Sequence, residues 1–124
     1  MQERRTYIRY KIEGTVNLSM GEGASGSIQA DLVDICSRGF SAYAHEAIAV
    51  GAEVDFELSV KSWGKPIAGR GIVKYVKEEK RMDTGVFRVG INFIDTDQSA
   101  IGCIIRQIVE DICARVKKKH SKGT

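Results

Sequence analysis

Residues 54–60 have the sequence VDFELSV, in which apolar and polar side chains alternate without interruption. In an extended chain, successive side chains point to opposite faces, so the apolar set lies on one face and the polar set on the other. This period of two predicts an antiparallel strand with one buried and one solvated face.

Other segments on both sides of this strand are also predicted as strands. They are residues 12–20, 28–35, 40–44, 67–77 and 87–93. The last two are separated by a short stretch with the turn sequence Asp-Thr-Gly, which predicts a hairpin between them.

The pattern changes after Asp95-Thr96-Asp97, where a short side-chain oxygen can accept hydrogen bonds from the first backbone N–H groups of a helix. Apolar residues then recur at spacings of three and four, which predicts an amphipathic helix over 96–118. These apolar positions are Ile101, Ile104, Ile105, Ile108, Val109, Ile112 and Val116.

Short strands followed by one helix predict a mainly β fold, a small antiparallel barrel of about six strands with a C-terminal helix. The 124 residues suit a single domain. We expect a flexible basic arm over 1–11, the barrel over 12–94 and a flexible tail over 119–124. A chain of this length buries a sufficient core without a metal or a disulfide.

Positive charge is concentrated at the two ends of the chain. Residues 1–11 carry a net charge of +3 and residues 115–124 carry +5, whereas the part between them carries −5. Proteins that coat themselves with nucleic acid usually spread basic residues over a whole face. The distribution therefore favours a small anionic partner over a nucleic-acid polymer.

Several classes of function are not supported by any motif. No apolar run of about 18 residues and no leader peptide is present, so we expect a cytoplasmic protein without a membrane span. The cysteines Cys36, Cys103 and Cys113 lack metal-ligand spacing, and the histidines are only His45 and His120. Known catalytic motifs are also missing, so we predict neither an enzyme nor a metal or other cofactor.

Two short segments resemble the motifs of the PilZ family of cyclic di-GMP receptors, RxxxR near the N-terminus and [D/N]xSxxG between the second and third strands. Arg5 and Arg9 match the first motif, and Asp34 and Gly39 match the second, with Cys36 in place of the usual serine. Family-like strand segments, including 69–73 and 89–93, extend the resemblance over nearly the whole chain. It implies a PilZ-type β-barrel that binds cyclic di-GMP.

The residue types in these motifs suit that ligand. A guanidinium binds a phosphate or the O6/N7 edge of guanine bidentately, which is the role expected of Arg5 and Arg9. An ionised Asp34 accepts hydrogen bonds from guanine N–H groups, and Gly39 allows the backbone to approach the ligand without a Cβ. Cys36 has a thiol that hydrogen-bonds more weakly than a hydroxyl, a loss of roughly 0.5–1.5 kcal/mol.

Two further arginines lie in or beside the motifs. In the family, a basic residue at the position of Arg4 often accompanies a stacked pair of ligands, so we hypothesise that two cyclic di-GMP molecules bind. Arg38 is either an additional phosphate or guanine contact or a solvated loop residue, and the sequence leaves both open.

The resemblance implies a receptor that relays the signal to a downstream protein, through an N-terminal arm that becomes ordered when the ligand neutralises its arginines. The first alternative is a PilZ-like protein-interaction adaptor that does not bind nucleotide, which only Cys36 supports. A second alternative is a barrel that binds single-stranded nucleic acid, although the exposed aromatic pairs expected of such a surface are lacking.

Overall fold

The computed structural model describes residues 8–20, 27–81 and 84–122, which form seven strands and one helix. The predicted arm residues 1–7 lie outside these ranges. The elements are β1 (Tyr10–Lys11), β2 (Gly14–Ser19), β3 (Ser27–Cys36), β4 (Gly39–Ala44), β5 (Glu53–Val60), β6 (Ile67–Arg81), β7 (Thr84–Thr96) and α1 (Gln98–Lys122).

The strands form one antiparallel sheet in the order β1-β3-β2-β5-β6-β7-β4. An additional pairing between β3 and β4 closes β2 to β7 into a six-stranded barrel. The short β1 adds a seventh strand beside the end of β3. The prediction of an antiparallel barrel of about six strands with a C-terminal helix is confirmed.

The alternating segment from which the fold was predicted forms β5, which lies between β2 and β6 in the barrel wall. Every second residue of β5 is buried, beginning with Val54, and those between are exposed. The ring of Phe56 contacts Phe40 and Phe93 at centroid distances of 5.3 and 5.6 Å. Burial of each large apolar side chain contributes about 1.5–3 kcal/mol, so this aromatic cluster is a major source of stability.

The helix α1 begins and ends later than the predicted range 96–118. Strand β7 continues through Thr96, and the carboxylate of Asp97 accepts a hydrogen bond from the backbone N–H of Ala100 at 3.1 Å. Asp97 is therefore the N-cap. The helix ends at Lys122, so the first four residues of the predicted flexible tail 119–124 are helical.

The apolar stripe of α1 is only partly covered by the barrel. Ile101 and Ile104 are fully buried, and Ile105 and Ile108 pack against the core. Residues 110–116 are all exposed. Within the described ranges, α1 does not contain an apolar stretch of the length needed to cross a bilayer.

Candidate functional site

Four of the residues predicted from the two motifs lie around one cavity. Arg9 precedes β1, Asp34 and Cys36 end β3, and Gly39 begins β4. All four line a cavity of about 130 Å³ on the outer face of the barrel. The two motifs, distant in sequence, therefore meet in space.

Of the other three predicted residues, Arg38 is the one that the structure describes, and it is not among the residues that line this cavity. Arg4 and Arg5 lie outside the described residues. Arg38 is exposed in the turn between β3 and β4, and its backbone carbonyl accepts a hydrogen bond from the N–H of Phe93 at 2.8 Å. Its backbone therefore fastens the turn to β7, beside the cavity.

Four residues on neighbouring strands form a row across the floor of the cavity, and three of them line it, namely Asp34, Gly90 and Tyr75. Asp34 on β3 pairs with Ser41 on β4, Ser41 pairs with Gly90 on β7, and Gly90 pairs with Tyr75 on β6. Directly paired residues of an antiparallel sheet project from the same face. Two small residues thus lie between a carboxylate and an aromatic ring.

A β-bulge places each end of this row on the outer face. In β3, Ala30 and Leu32 point into the core, so an uninterrupted strand would bury Asp34 there as well. The register shifts between Leu32 and Asp34, leaving Val33 as the extra residue and turning Asp34 outward. Bulges commonly redirect side chains at functional sites.

Strand β6 contains a similar bulge. Val73 is buried, and strict alternation would direct Tyr75 into the core. The register shift between Val73 and Tyr75 makes Lys74 the extra residue, and Tyr75 joins Lys74 in the lining of the cavity. The Tyr75 ring lies over Gly90, since a Cβ built on Gly90 would overlap the ring.

Asp34 is the centre of a hydrogen-bond network. Its Oδ1 accepts from the Ser41 hydroxyl at 2.7 Å and from Arg9 Nη1 at 3.5 Å, and its Oδ2 accepts from Arg88 Nη2 at 3.0 Å. The Asp34 side chain is only 13% exposed, so these charge-assisted bonds compensate for its removal from water. One carboxylate contacts two guanidiniums, which leaves the trio with a net positive charge.

Arg9 is the more accessible of the two guanidiniums, with its side chain 41% exposed. Partial burial lowers its pKa, but a side-chain hydrogen bond with Tyr75 and the negative charge of Asp34 outweigh burial, so the pKa is raised. Arg9 therefore remains protonated and presents a permanent positive charge to the cavity.

Cys36 and Gly39 form the edge of the cavity beside the turn. The Cys36 sulfur accepts a hydrogen bond from the backbone N–H of Arg38 at 3.4 Å. A Cβ built on Gly39 would overlap the carbonyl oxygen of Ile91 on β7, so glycine here permits β4 and β7 to approach closely. This strand contact is a structural reason for Gly39 that the sequence did not reveal.

A second, more open depression of about 580 Å³ adjoins the first. The two share Arg9, Asp34 and Tyr75, which therefore lie at their junction. The remaining residues that line the second depression are Lys11, Lys77, Glu79 and Arg88. Cationic side chains outnumber carboxylates in both linings, which favours an anionic ligand. Within the described ranges, no cluster of His, Cys, Asp or Glu side chains could hold a metal ion.

Four residues of the site were not predicted from the sequence, namely Ser41, Lys74, Tyr75 and Arg88. For Tyr75 a signal exists, since the inward-facing residues Val73 and Val76 are three apart, a spacing that marks a bulge in a strand of period two. No comparable local signal identifies Arg88, because its role depends on pairing between β4 and β7.

Comparison with solved structures identifies the fold. The PilZ domain with c-di-GMP of YcgR from Escherichia coli has a TM-score of 0.72 at 17% identity, over 94% of this chain and 99% of that chain. The apo structure of MrkH from K. pneumonia has a TM-score of 0.73 at 16% identity, over 93% of this chain and 54% of that one. These likenesses show that the chain has a PilZ-type fold.

A third similar structure is the Bacillus subtilis inhibitor of motility MotI/DgrA, with a TM-score of 0.69 at 10% identity, over 91% of this chain and 53% of that one. The present chain thus spans about half the length of the MrkH and MotI chains. No protein-family model and no curated protein sequence matches the chain.

Proposed function

We propose that this PilZ-type domain is a receptor for cyclic di-GMP, a binding protein rather than an enzyme. The observation that carries the proposal is the meeting of Arg9 and Asp34, one from each motif, at a cavity with excess positive charge. Of the similar structures, the YcgR domain is described with c-di-GMP, and MrkH also has a described c-di-GMP complex.

Each part of the site has a chemical role in this proposal. Arg9 binds a phosphate or the O6/N7 edge of a guanine, and Arg5, which lies outside the described residues, completes the motif. Asp34 accepts from guanine N–H groups through its lone pairs that remain available beside its three protein contacts. The Tyr75 ring offers a face on which a base can stack.

Both depressions take part in binding, because a cavity of about 130 Å³ is too small for a dinucleotide. Arg9, Asp34 and Tyr75 at their junction contact the centre of the ligand, and the neighbouring cations contact its periphery. Those cations are Lys11, Lys74 and Lys77.

Relay of the signal to a partner protein is the second part of the proposal. Lys11 on β1 lines the second depression and also a groove of about 720 Å³ beside α1, which includes Ile108, Asp111 and Arg115. Ligand binding at Arg9 therefore acts next to a segment that shares this groove with the helix. Hydrogen exchange should show altered protection of residues 108–116 when cyclic di-GMP is added, and unchanged protection would contradict this route.

The ligand assignment is tested by amide chemical-shift mapping with cyclic di-GMP and with cyclic di-AMP. Cyclic di-GMP should shift the amides of Asp34, Ser41 and Gly90 and leave the amide of Glu57 on β5 in place. Adenine lacks the O6 acceptor and presents an amino donor instead, so cyclic di-AMP should bind much more weakly. Equal shifts with both dinucleotides would contradict the proposal.

The two alternative functions give different results in the same experiment. An adaptor that does not bind nucleotide would show no shifts with either dinucleotide. A single-stranded nucleic-acid binder would respond to random oligonucleotides in a salt-dependent manner that cyclic di-GMP does not compete with.

A further inference from the structure

Arg88 lies on β7, outside both sequence motifs, and reaches diagonally across the sheet. Its direct neighbours are Tyr43 on β4 and Lys77 on β6. Its Nη2 nevertheless contacts two residues of the adjacent row across the sheet. It lies 3.0 Å from Asp34 Oδ2 and 3.4 Å from Ser41 Oγ. Ser41 in turn donates to Asp34 Oδ1, so both carboxylate oxygens are held from the barrel side.

The exposed fractions of the three charged side chains indicate why Asp34 needs Arg88. The Asp34 side chain is 13% exposed and that of Arg88 is 29% exposed, whereas Arg9 is 41% exposed and makes the longer contact. Arg88 is thus the nearer and more buried counter-charge of Asp34. The Nε of Arg88 is buried without a hydrogen-bond partner among the described residues, which costs desolvation free energy. The contact of Arg88 with Asp34 offsets this cost.

We propose that Arg88 is a positioning residue of the ligand site. It neutralises Asp34 and fixes the plane of the carboxylate, so that Oδ1 holds Arg9 while the charge of Arg9 stays available to an anionic ligand. Arg88 acts through Asp34 and not by contact with the dinucleotide. This inference rests on the proposed function, in which the ligand that Arg9 binds is cyclic di-GMP.

The test compares Arg88→Gln and Arg88→Lys with the control Arg70→Gln by calorimetric titration with cyclic di-GMP. Arg70 is an exposed arginine paired with Asp55, and it lines neither depression. We expect Arg88→Gln to weaken binding about tenfold or more and Arg70→Gln to have little effect. Arg88→Lys should be intermediate, since an ammonium restores the charge without the planar geometry. Wild-type affinity in both Arg88 variants would overturn the proposal.

A double-mutant cycle separates positioning from direct contact. In an Asp34→Asn background, Arg88→Gln should cause little further loss of affinity, because its partner is already changed. A further loss as large as in the wild-type background would mean that Arg88 contacts the ligand itself, which would overturn the proposal.

A ligand-free measurement keeps this inference distinct from the proposed function. Solvent exchange of the Arg9 Nη–H groups, of which Nη1 contacts Asp34, should be faster by NMR in Arg88→Gln than in wild type and in Arg70→Gln. Unchanged exchange would overturn the positioning role even if cyclic di-GMP binds. If exchange is faster but the chain does not bind cyclic di-GMP, the positioning of Arg9 is supported and only the ligand assignment is contradicted. Should Arg88→Gln fail to fold, Arg88→Lys carries the same comparisons.

Discussion

Asp34 and Arg88 lie 54 residues apart in the sequence, and their side chains meet at 3.0 Å on the outer face of the barrel. Ser41 completes the contact by donating to Asp34 and lying 3.4 Å from Arg88. A motif aspartate is therefore part of the barrel structure as well as of the candidate binding site. This double role leads to predictions for stability and for ligand binding.

Replacement of Asp34 by alanine should destabilise the fold. The change leaves the half-buried guanidinium of Arg88 without its counter-charge and Ser41 without its acceptor, at a cost of about 2–4 kcal/mol in the free energy of unfolding. Urea denaturation measures this cost. The matched control is Asp55→Ala, which breaks an exposed pair with Arg70 and should cost less than about 1 kcal/mol. Equal losses in the two variants would contradict the buried network.

Gly90→Ala should impair both stability and binding. The added Cβ overlaps the Tyr75 ring, so the ring must move away from the floor, at a cost of about 1–3 kcal/mol. Loss of the stacking surface should lower the affinity for cyclic di-GMP about tenfold. Denaturation and titration measure the two effects. Gly102→Ala on α1, where an added Cβ meets nothing within 4 Å, should be neutral or stabilising.

Cys36→Ser should strengthen binding of cyclic di-GMP. A hydroxyl is a stronger donor and acceptor than a thiol, and a recovered hydrogen bond of roughly 0.5–1.5 kcal/mol raises the affinity by up to about tenfold. Cys103→Ser, on the exposed surface of α1, is the control for removal of a thiol. An affinity that falls in Cys36→Ser would show that the thiol is favourable in this site.

The number of bound ligands should depend on Arg4. The hypothesis that two cyclic di-GMP molecules bind predicts two ligands per chain in the wild type and one in Arg4→Ala. Calorimetric stoichiometry or native mass spectrometry distinguishes these values. One ligand per chain in the wild type would reject the hypothesis without affecting the single-site proposal.

Much of the fold could be predicted from the sequence because the individual strands and the helix follow from local patterns. The alternation in β5 and the three-and-four spacing in α1 each follow from one element and its burial. The bounds of α1 were less predictable, since Asp95, Thr96 and Asp97 can each cap a helix and only the pairing of β7 with β6 decides between them.

The candidate site was predicted only where it coincides with a motif. Arg9, Asp34, Cys36 and Gly39 were identified in this way and line the cavity. The contributions of Tyr75 and Arg88 depend on register between strands and on a bulge, which are properties of tertiary structure.

Calorimetric titration of wild type, Arg9→Ala and Arg70→Ala with cyclic di-GMP tests the central claim most directly. We predict saturable binding at micromolar or lower concentration for the wild type and for Arg70→Ala. Arg9→Ala should bind about 10–100-fold more weakly, because a charge-assisted contact contributes about 1.5–3 kcal/mol. Absence of binding to the wild type, or equal affinity in Arg9→Ala, would contradict the account.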